Sequence, residues 1–519
     1  VIGRRLAELD EADNDLLRTA AVIGPAFDAA VLAEAVERGV DDVVAALDTA
    51  AARRLVVEDE DVLDRFRFAH ALIRQTLLEE LRTNRRVRLH HRVALALEAR
   101  GASAADLAHH YGEAAPFADA DKALTYASRA ADDATARLAY EQAITFRRLA
   151  VECEDLLDPP DAARRAGVLL ALGEAHNTAD DPASGLAPFV AAAGAARDTG
   201  RTDLLARAAY GYGGESPVWL DFTDTVGPAL LDEALAALPA DQVLARARCL
   251  TQRSMWHLLD ADPAAQLETA MQGVALAEQS GDLHARYLAL DFARHAYQAV
   301  GDLDNVLEVA ARIGVLGEEF DHPPSCALAV YGDMVGHFLR NDLDQARALL
   351  VQLLAMDRSR LPLSHRWGQA STRANLAILD GRWQDVVGPT PDEIASLGAA
   401  GAGIDAGSRM RSLFDQGDVD EALELARWLE VDQRDQWALW PFTAFVALWS
   451  GETAAAEALL RAWHREMFPF VPATFRLHAV SMASGIAVEL HLAELAPDLA
   501  AELRPHRGHW ASSSVEVAD

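Results

Sequence analysis

A chain of 519 residues is too long for one compact core, so several domains or an elongated repeat array is expected. Hydrophobic residues make up 51% and charged residues 24%, and no stretch approaches the roughly 20 uninterrupted apolar residues of a membrane-spanning helix. The formal charge of −33, from 80 acidic against 47 basic side chains, disfavours broad contact with nucleic acid or an anionic membrane.

Val1 to Leu9 carry Arg4, Arg5 and Glu8 where a signal peptide needs an apolar core, which points to a cytoplasmic chain. Cys153, Cys249 and Cys326 are widely separated and form no CxxC pair, so neither a disulfide framework nor a cysteine zinc site is expected. Lys122 is the only lysine and does not follow a glycine, so the chain carries no ordinary GxxxxGK[ST] phosphate loop.

In chain order, Asp10 or Asp13 caps a helix through Leu16, Leu17, Ala20, Val22 and Ile23 that stops at Gly24-Pro25. Asp28 opens a second helix running to Gly39, and Asp41 or Asp42 opens a third through Val43, Val44, Leu47 and Ala50. Leu55-Val56-Val57 and Arg65-Phe66-Arg67-Phe68 flank the acidic turn Glu58 to Asp64 and read as a short hairpin. Three helices followed by a β-hairpin describe a winged-helix-like head, and the string Phe68 to Leu81 continues it as a helix.

The stretch Arg65 to Leu81, with Val1-Ile2-Gly3-Arg4-Arg5-Leu6 and Ala20 to Asp28, resembles the large bacterial regulators of the STAND ATPase class, including LuxR-type and maltose-regulator-like activators. The resemblance implies that an ATPase domain precedes a winged helix, which leads into a helical-repeat sensor and often a closing helix-turn-helix. It also implies a role for His70, since in that class a histidine opening the helix after the wing contacts the β-phosphate of bound ADP. A helix N-terminus suits such an anion contact, and a satisfied structural histidine is the plain alternative. No cofactor is expected in this chain itself; ATP or ADP is implied only if an ATPase domain precedes it.

Arg82, Arg85, Arg86, Arg88 and Arg92, with His90 and His91, form the one concentrated basic run. Val87, Leu89, Val93, Leu95 and Leu97 interleave with it at near-helical spacing, so a solvated helix face explains it better than direct nucleic-acid contact.

From Asp119 onward the period is helical and the turns recur. One series runs Asp180-Asp181, Asp260 to Asp262, Gly301-Asp302, Asn341-Asp342, Gly381-Arg382, Gly417-Asp418 and Gly451-Glu452, about 34 to 41 residues apart. Its doubled interval is filled by Phe222-Thr223-Asp224. Between these fall Gly200, Pro239-Ala240, Gly281-Asp282, His322-Pro323-Pro324 and Gly398 to Gly403. The alternation is that of tetratricopeptide-like hairpins, each of which buries its apolar face only against its neighbours.

The fold class is therefore all-α: a winged-helix-like head over residues 1–115, a tetratricopeptide-like α-solenoid over 116–500, and an irregular end over 501–519. Aromatic residues crowd the last repeats at Trp428, Trp437, Trp440, Phe442, Phe445, Trp449, Trp463, Phe468 and Phe470. Inter-repeat packing is their plain reading, and Trp437, Trp440 and Trp449 are the candidates for a ligand- or partner-binding surface.

No catalytic or metal centre is expected. HExxH, GxSxG, a strand-to-helix GxGxxG and an EF-hand loop are all missing, and the pairs His90-His91 and His109-His110 put adjacent rings in different directions on a helix. The leading expectation is the sensor arm of an ATPase regulator, met here as a fragment or without its ATPase. It would relay a ligand or protein partner, such as a small-molecule or peptide inducer, to the ATPase module. A standalone repeat scaffold for protein-protein interaction and the regulatory tail of a nucleotide cyclase are the alternatives.

Overall fold

The computed structural model describes residues 2–6, 8–59, 61–179, 181–214, 224–257, 262–357, 361, 381–382, 409–410, 413–414, 416–432, 440–471 and 473–506. It is an all-α protein with one small sheet, and it divides into two units, residues 1–175 and 176–519.

The first unit opens with α1 (Ile2–Leu6), α2 (Glu11–Ile23), α3 (Ala29–Val36) and α4 (Val40–Ala52). Asp10 caps α2 by accepting from the Asp13 N–H at 2.7 Å, and Asp28 caps α3 by accepting from Ala30 N at 2.8 Å. α4 begins at Val40 with Gly39 as its cap, so Asp41 and Asp42, expected to open it, lie in its first turn, where their charge complements the helix dipole. The expected hairpin is β2 (Val56–Glu58) against β3 (Arg65–Phe68). A third strand, β1 (Ala26–Asp28), pairs antiparallel with the other edge of β3 and places Phe27 opposite Phe66. Phe27, Phe66 and Phe68 are buried with Leu16, Leu32, Leu47 and Leu77 in a single core.

The unit continues with α5 (Ala71–Glu79), α6 (Thr83–Ala99), α7 (Ala104–Ala114), α8 (Ala120–Ala136) and α9 (Tyr140–Glu154), then α10 (Ala162–Thr178), inside which the division falls. A polar knot joins α6, α7 and α8. Glu98 accepts from Tyr111 Oη at 2.5 Å, Lys122 Nζ at 2.7 Å and Tyr126 Oη at 2.6 Å, while the two tyrosine rings stack at 5.6 Å.

The second unit is a run of antiparallel helical hairpins: α11 (Pro182–Asp198), α12 (Thr202–Tyr212), α13 (Val226–Ala237), α14 (Val243–Trp256), α15 (Pro263–Ser280), α16 (Leu283–Val300), α17 (Leu303–Glu319), α18 (Pro323–Leu339) and α19 (Leu343–Leu354). After a gap come α20 (Val419–Asp432), α21 (Trp440–Trp449), α22 (Thr453–Glu466), a 3-10 turn at Phe468–Phe470, α23 (Ala473–Glu489) and α24 (Ala496–Leu503).

The punctuation seen in the sequence has a backbone cause. Gly281, Gly301 and Asn341 adopt positive φ of 70°, 76° and 63°, which ends one helix in the left-handed region. The aspartate that follows each caps the next helix: Asp282 accepts from Ala285 N at 2.8 Å, Asp302 from Asn305 N at 3.2 Å and Asp342 from Gln345 N at 3.4 Å. Gly398 to Gly403 fall outside the described residues.

Successive helices pack against each other, and α14 also packs on α12 and α16, as does α16 on α18. Helices α12, α14, α16 and α18 therefore form the crowded side of this part of the stack, where each hairpin meets its neighbours most closely. Among the described residues, no helix is long and apolar enough to cross a membrane.

Candidate functional site

The crowded side carries polar groups where packing alone would call for apolar ones. Thr251, Gln252 and Ser254 of α14, Asp291, Arg294 and His295 of α16, and Ser325 at the start of α18 are all buried. On α16 the positions 287, 291, 294 and 295 repeat at helical spacing, so Tyr287, Asp291, Arg294 and His295 share one face. In an isolated hairpin that face is wet, and here neighbouring hairpins cover it.

The centre of this stripe is Arg294, only 1% exposed. Its Nη2 donates to Asp291 Oδ1 at 2.7 Å and lies 2.8 Å from His295 Nε2, while its Nε donates to the same carboxylate at 3.2 Å. Tyr331 of α18 sets its ring 5.7 Å from the guanidinium. Gly332 makes room, since a Cβ there would lie 2.7 Å from Arg294 Cδ. Nearby on the same two helices, Tyr287 meets His322 edge to face at 5.5 Å, and His322 Nδ1 lies 2.7 Å from Ser325 Oγ.

Burial first and the Arg294 cation second push the His295 imidazole down to about 3, so it is neutral at physiological pH and accepts from the guanidinium. Burial likewise raises the Tyr331 phenol. Gln266 of α15, fully buried, has neither amide atom hydrogen-bonded among the described residues, and Thr251 Oγ1 is in the same position. Such a group costs about 1–3 kcal/mol when left unmade. The stripe therefore combines one compensated ion pair, a neutral imidazole and buried donors and acceptors, a set suited to recognition by hydrogen bonds. Burial raises the thiols of Cys153 and Cys249 to about 11 and about 12, which leaves both protonated at neutral pH.

The residues singled out in the sequence fare differently. His70 is exposed at the N-cap of α5 and its side chain caps nothing, so its ring faces solvent at the mouth of that helix. Trp437 lies outside the described residues. Trp440, 6% exposed, packs with Leu460, Trp463 and Val480 and belongs to the core of the last hairpins. Trp449 is 55% exposed, with Phe445 beside it at 6.2 Å, and is the one exposed tryptophan among the described residues.

The basic run lies on α6, with Leu89 and Val93 buried, Arg85 paired to Asp15 at 2.6 Å and Arg88 placed 4.9 Å over the Phe117 ring. The histidine pairs need a correction. α6 and α7 are antiparallel neighbours and bring His90 Nδ1 to 3.1 Å from His110 Nδ1. The rings of His109 and His110 are themselves only 4.8 Å apart. The cluster has no sequence-local signal because it is assembled between helices, and the stripe, although its Asp291, Arg294 and His295 lie on one helix, is marked only by the helices that cover it.

No protein-family model matches the chain, and no curated protein matches it. Among solved structures it is similar to a signal transduction ATPase with numerous domains that carries a tetratricopeptide repeat sensor, from Pyrococcus horikoshii. The identity is 11% and the TM-score 0.36, over 80% of this chain and 65% of that one. This chain thus spans 65% of the length of that protein. The helical-repeat assignment rests on the packing of the chain's own hairpins.

Proposed function

We propose that this chain is the regulatory and sensor arm of a signal-transducing ATPase. Its repeats bind a ligand or protein partner, and its head, a winged-helix-like unit, passes the bound state to a nucleotide-binding module. The observation that carries the sensor reading is the buried polar stripe centred on Arg294. A buried ion pair contributes little net stability compared with an apolar replacement, so it argues for specificity or recognition ahead of packing. Perturbed titratable groups also concentrate at functional sites. The relay rests on the resemblance of the head and on the exposed place of His70 at a helix N-terminus, where an anion is favoured.

The test is calorimetric titration of the chain with sugar, peptide and carboxylate libraries, repeated with Gln266→Leu, which removes the unpartnered amide while filling its volume. A ligand whose affinity drops with Gln266→Leu supports the buried polar groups of α14, α15 and α16 as its site. Ligands that bind both forms equally would place recognition elsewhere. Exposed Trp449 supports a second reading, a repeat scaffold that binds proteins without nucleotide. Trp449→Ala would then abolish partner capture while Gln266→Leu left it unchanged.

A further inference from the structure

The first unit holds a second cluster, separate from the repeats, built by three histidines. His90 comes from α6 and His109 and His110 from α7. One ring nitrogen from each lies within 4.8 Å of the other two, and the His90 and His110 Nδ1 atoms are 3.1 Å apart. A tetrahedral zinc ion, with Zn–N bonds of about 2.0–2.1 Å, holds its nitrogens about 3.3 Å from one another. The closest pair already has that spacing. His90 and His110 are buried, at 6% and 3% exposure, whereas His109 is exposed.

The surroundings fit a metal better than a chance meeting of rings. The His110 ring lies against the main chain at Ile23, the end of α2, where the carbonyl can accept its N–H. A neutral imidazole has one N–H, so donation to that carbonyl leaves a lone pair on the other nitrogen. A carbonyl behind the ring is the usual arrangement that orients a ligating histidine. Of the charged groups that face the cluster, Arg74 and Arg86 oppose a cation, and Asp106 favours one. Arg74 is itself tied to the Ala21 carbonyl at 2.9 Å.

We propose that His90, His109 and His110 form a three-histidine site for a divalent transition-metal ion of the zinc type. The ion fastens the α6–α7 hairpin to the end of α2, and its fourth position, on the exposed His109 side, is open to water.

The test uses the intact chain, freed of metal by chelator and titrated with cobalt(II) as a spectroscopic probe and then with zinc in competition. One equivalent of cobalt is expected, with the strong visible bands of a four-coordinate site of three nitrogens and one water, displaced by one equivalent of zinc. His109→Gln, at an exposed position, should leave the circular dichroism unchanged and weaken binding by more than about a hundredfold, a larger loss than removal of an orienting neighbour produces. His110→Gln should abolish the bands, and if that variant unfolds, His109→Gln still decides. No binding at micromolar metal, or binding that survives His109→Gln undiminished, overturns the proposal; in the second case the ion sits on other histidines.

Discussion

The Glu98 knot gives a stability prediction with a defined pH signature. Glu98→Gln keeps the shape of the side chain and removes its charge, and it turns an acceptor-only group into one whose amide donors face Tyr111, Tyr126 or Lys122. The Lys122 ammonium first, then the Tyr111 and Tyr126 hydroxyls, hold the Glu98 carboxyl down at about 2, against an ordinary 4.5. A difference of about 2.5 units corresponds to about 3.4 kcal/mol at most. The Glu98 and Lys122 side chains are 28% and 38% exposed, so solvent screening reduces this to about 1–2 kcal/mol.

The folded-state value is depressed, so this stability is complete above about pH 4.5 and is lost as pH falls towards 2. Hydrogen exchange of the α6–α8 amides, measured at several pH values, reads the local free energy. At neutral pH the variant should exchange faster by a factor equivalent to about 1–2 kcal/mol, and the gap to wild type should close as pH approaches 2. A gap that stays constant with pH, or no gap at neutral pH, would refute the electrostatic role of the knot.

Arg294→Ala should destabilise the second unit by about 3–5 kcal/mol, because it removes the compensating cation from the buried Asp291 carboxylate, while Asp291→Leu combined with Arg294→Met should recover most of the loss in chemical denaturation. Asp302→Ala removes the cap of α17 and should cost about 1 kcal/mol in the same assay. His70→Ala should leave the thermal midpoint unchanged, since the side chain is exposed and caps nothing; a drop of several degrees would mark His70 as structural.

What the sequence made legible was local. Asp10 and Asp28 were readable as caps because an N-cap acts within three residues, and the Gly-Asp and Asn-Asp turns were readable because a left-handed residue followed by a cap is a short-range event. The β2–β3 hairpin was visible from alternation on either side of an acidic turn. Strand β1 was not, because three residues after Gly24-Pro25 carry no period and their partner Arg65–Arg67 lies about forty residues on.

The tryptophans show the limit of composition. Trp440 and Trp463 are core residues and Trp449 is a surface one, although Trp440 and Trp449 lie on the same apolar helix, and only the neighbouring hairpin decides which face is covered. The same reason hid the stripe on α16, whose Asp291, Arg294 and His295 read as a solvated face until a second layer packs over them. The histidine cluster was hidden for a related reason, since His90 and His110 are 20 residues apart and meet only when α6 and α7 fold into a hairpin.

The most direct test of the sensor-arm reading is to sequence the coding DNA immediately upstream of this stretch in the same frame. A GxxxxGK[ST] phosphate loop joined in frame to Val1 is the expected result and would make His70 the first residue to mutate for nucleotide affinity. A stop codon between any such loop and Val1 would contradict the reading and leave a repeat scaffold that works without an attached ATPase.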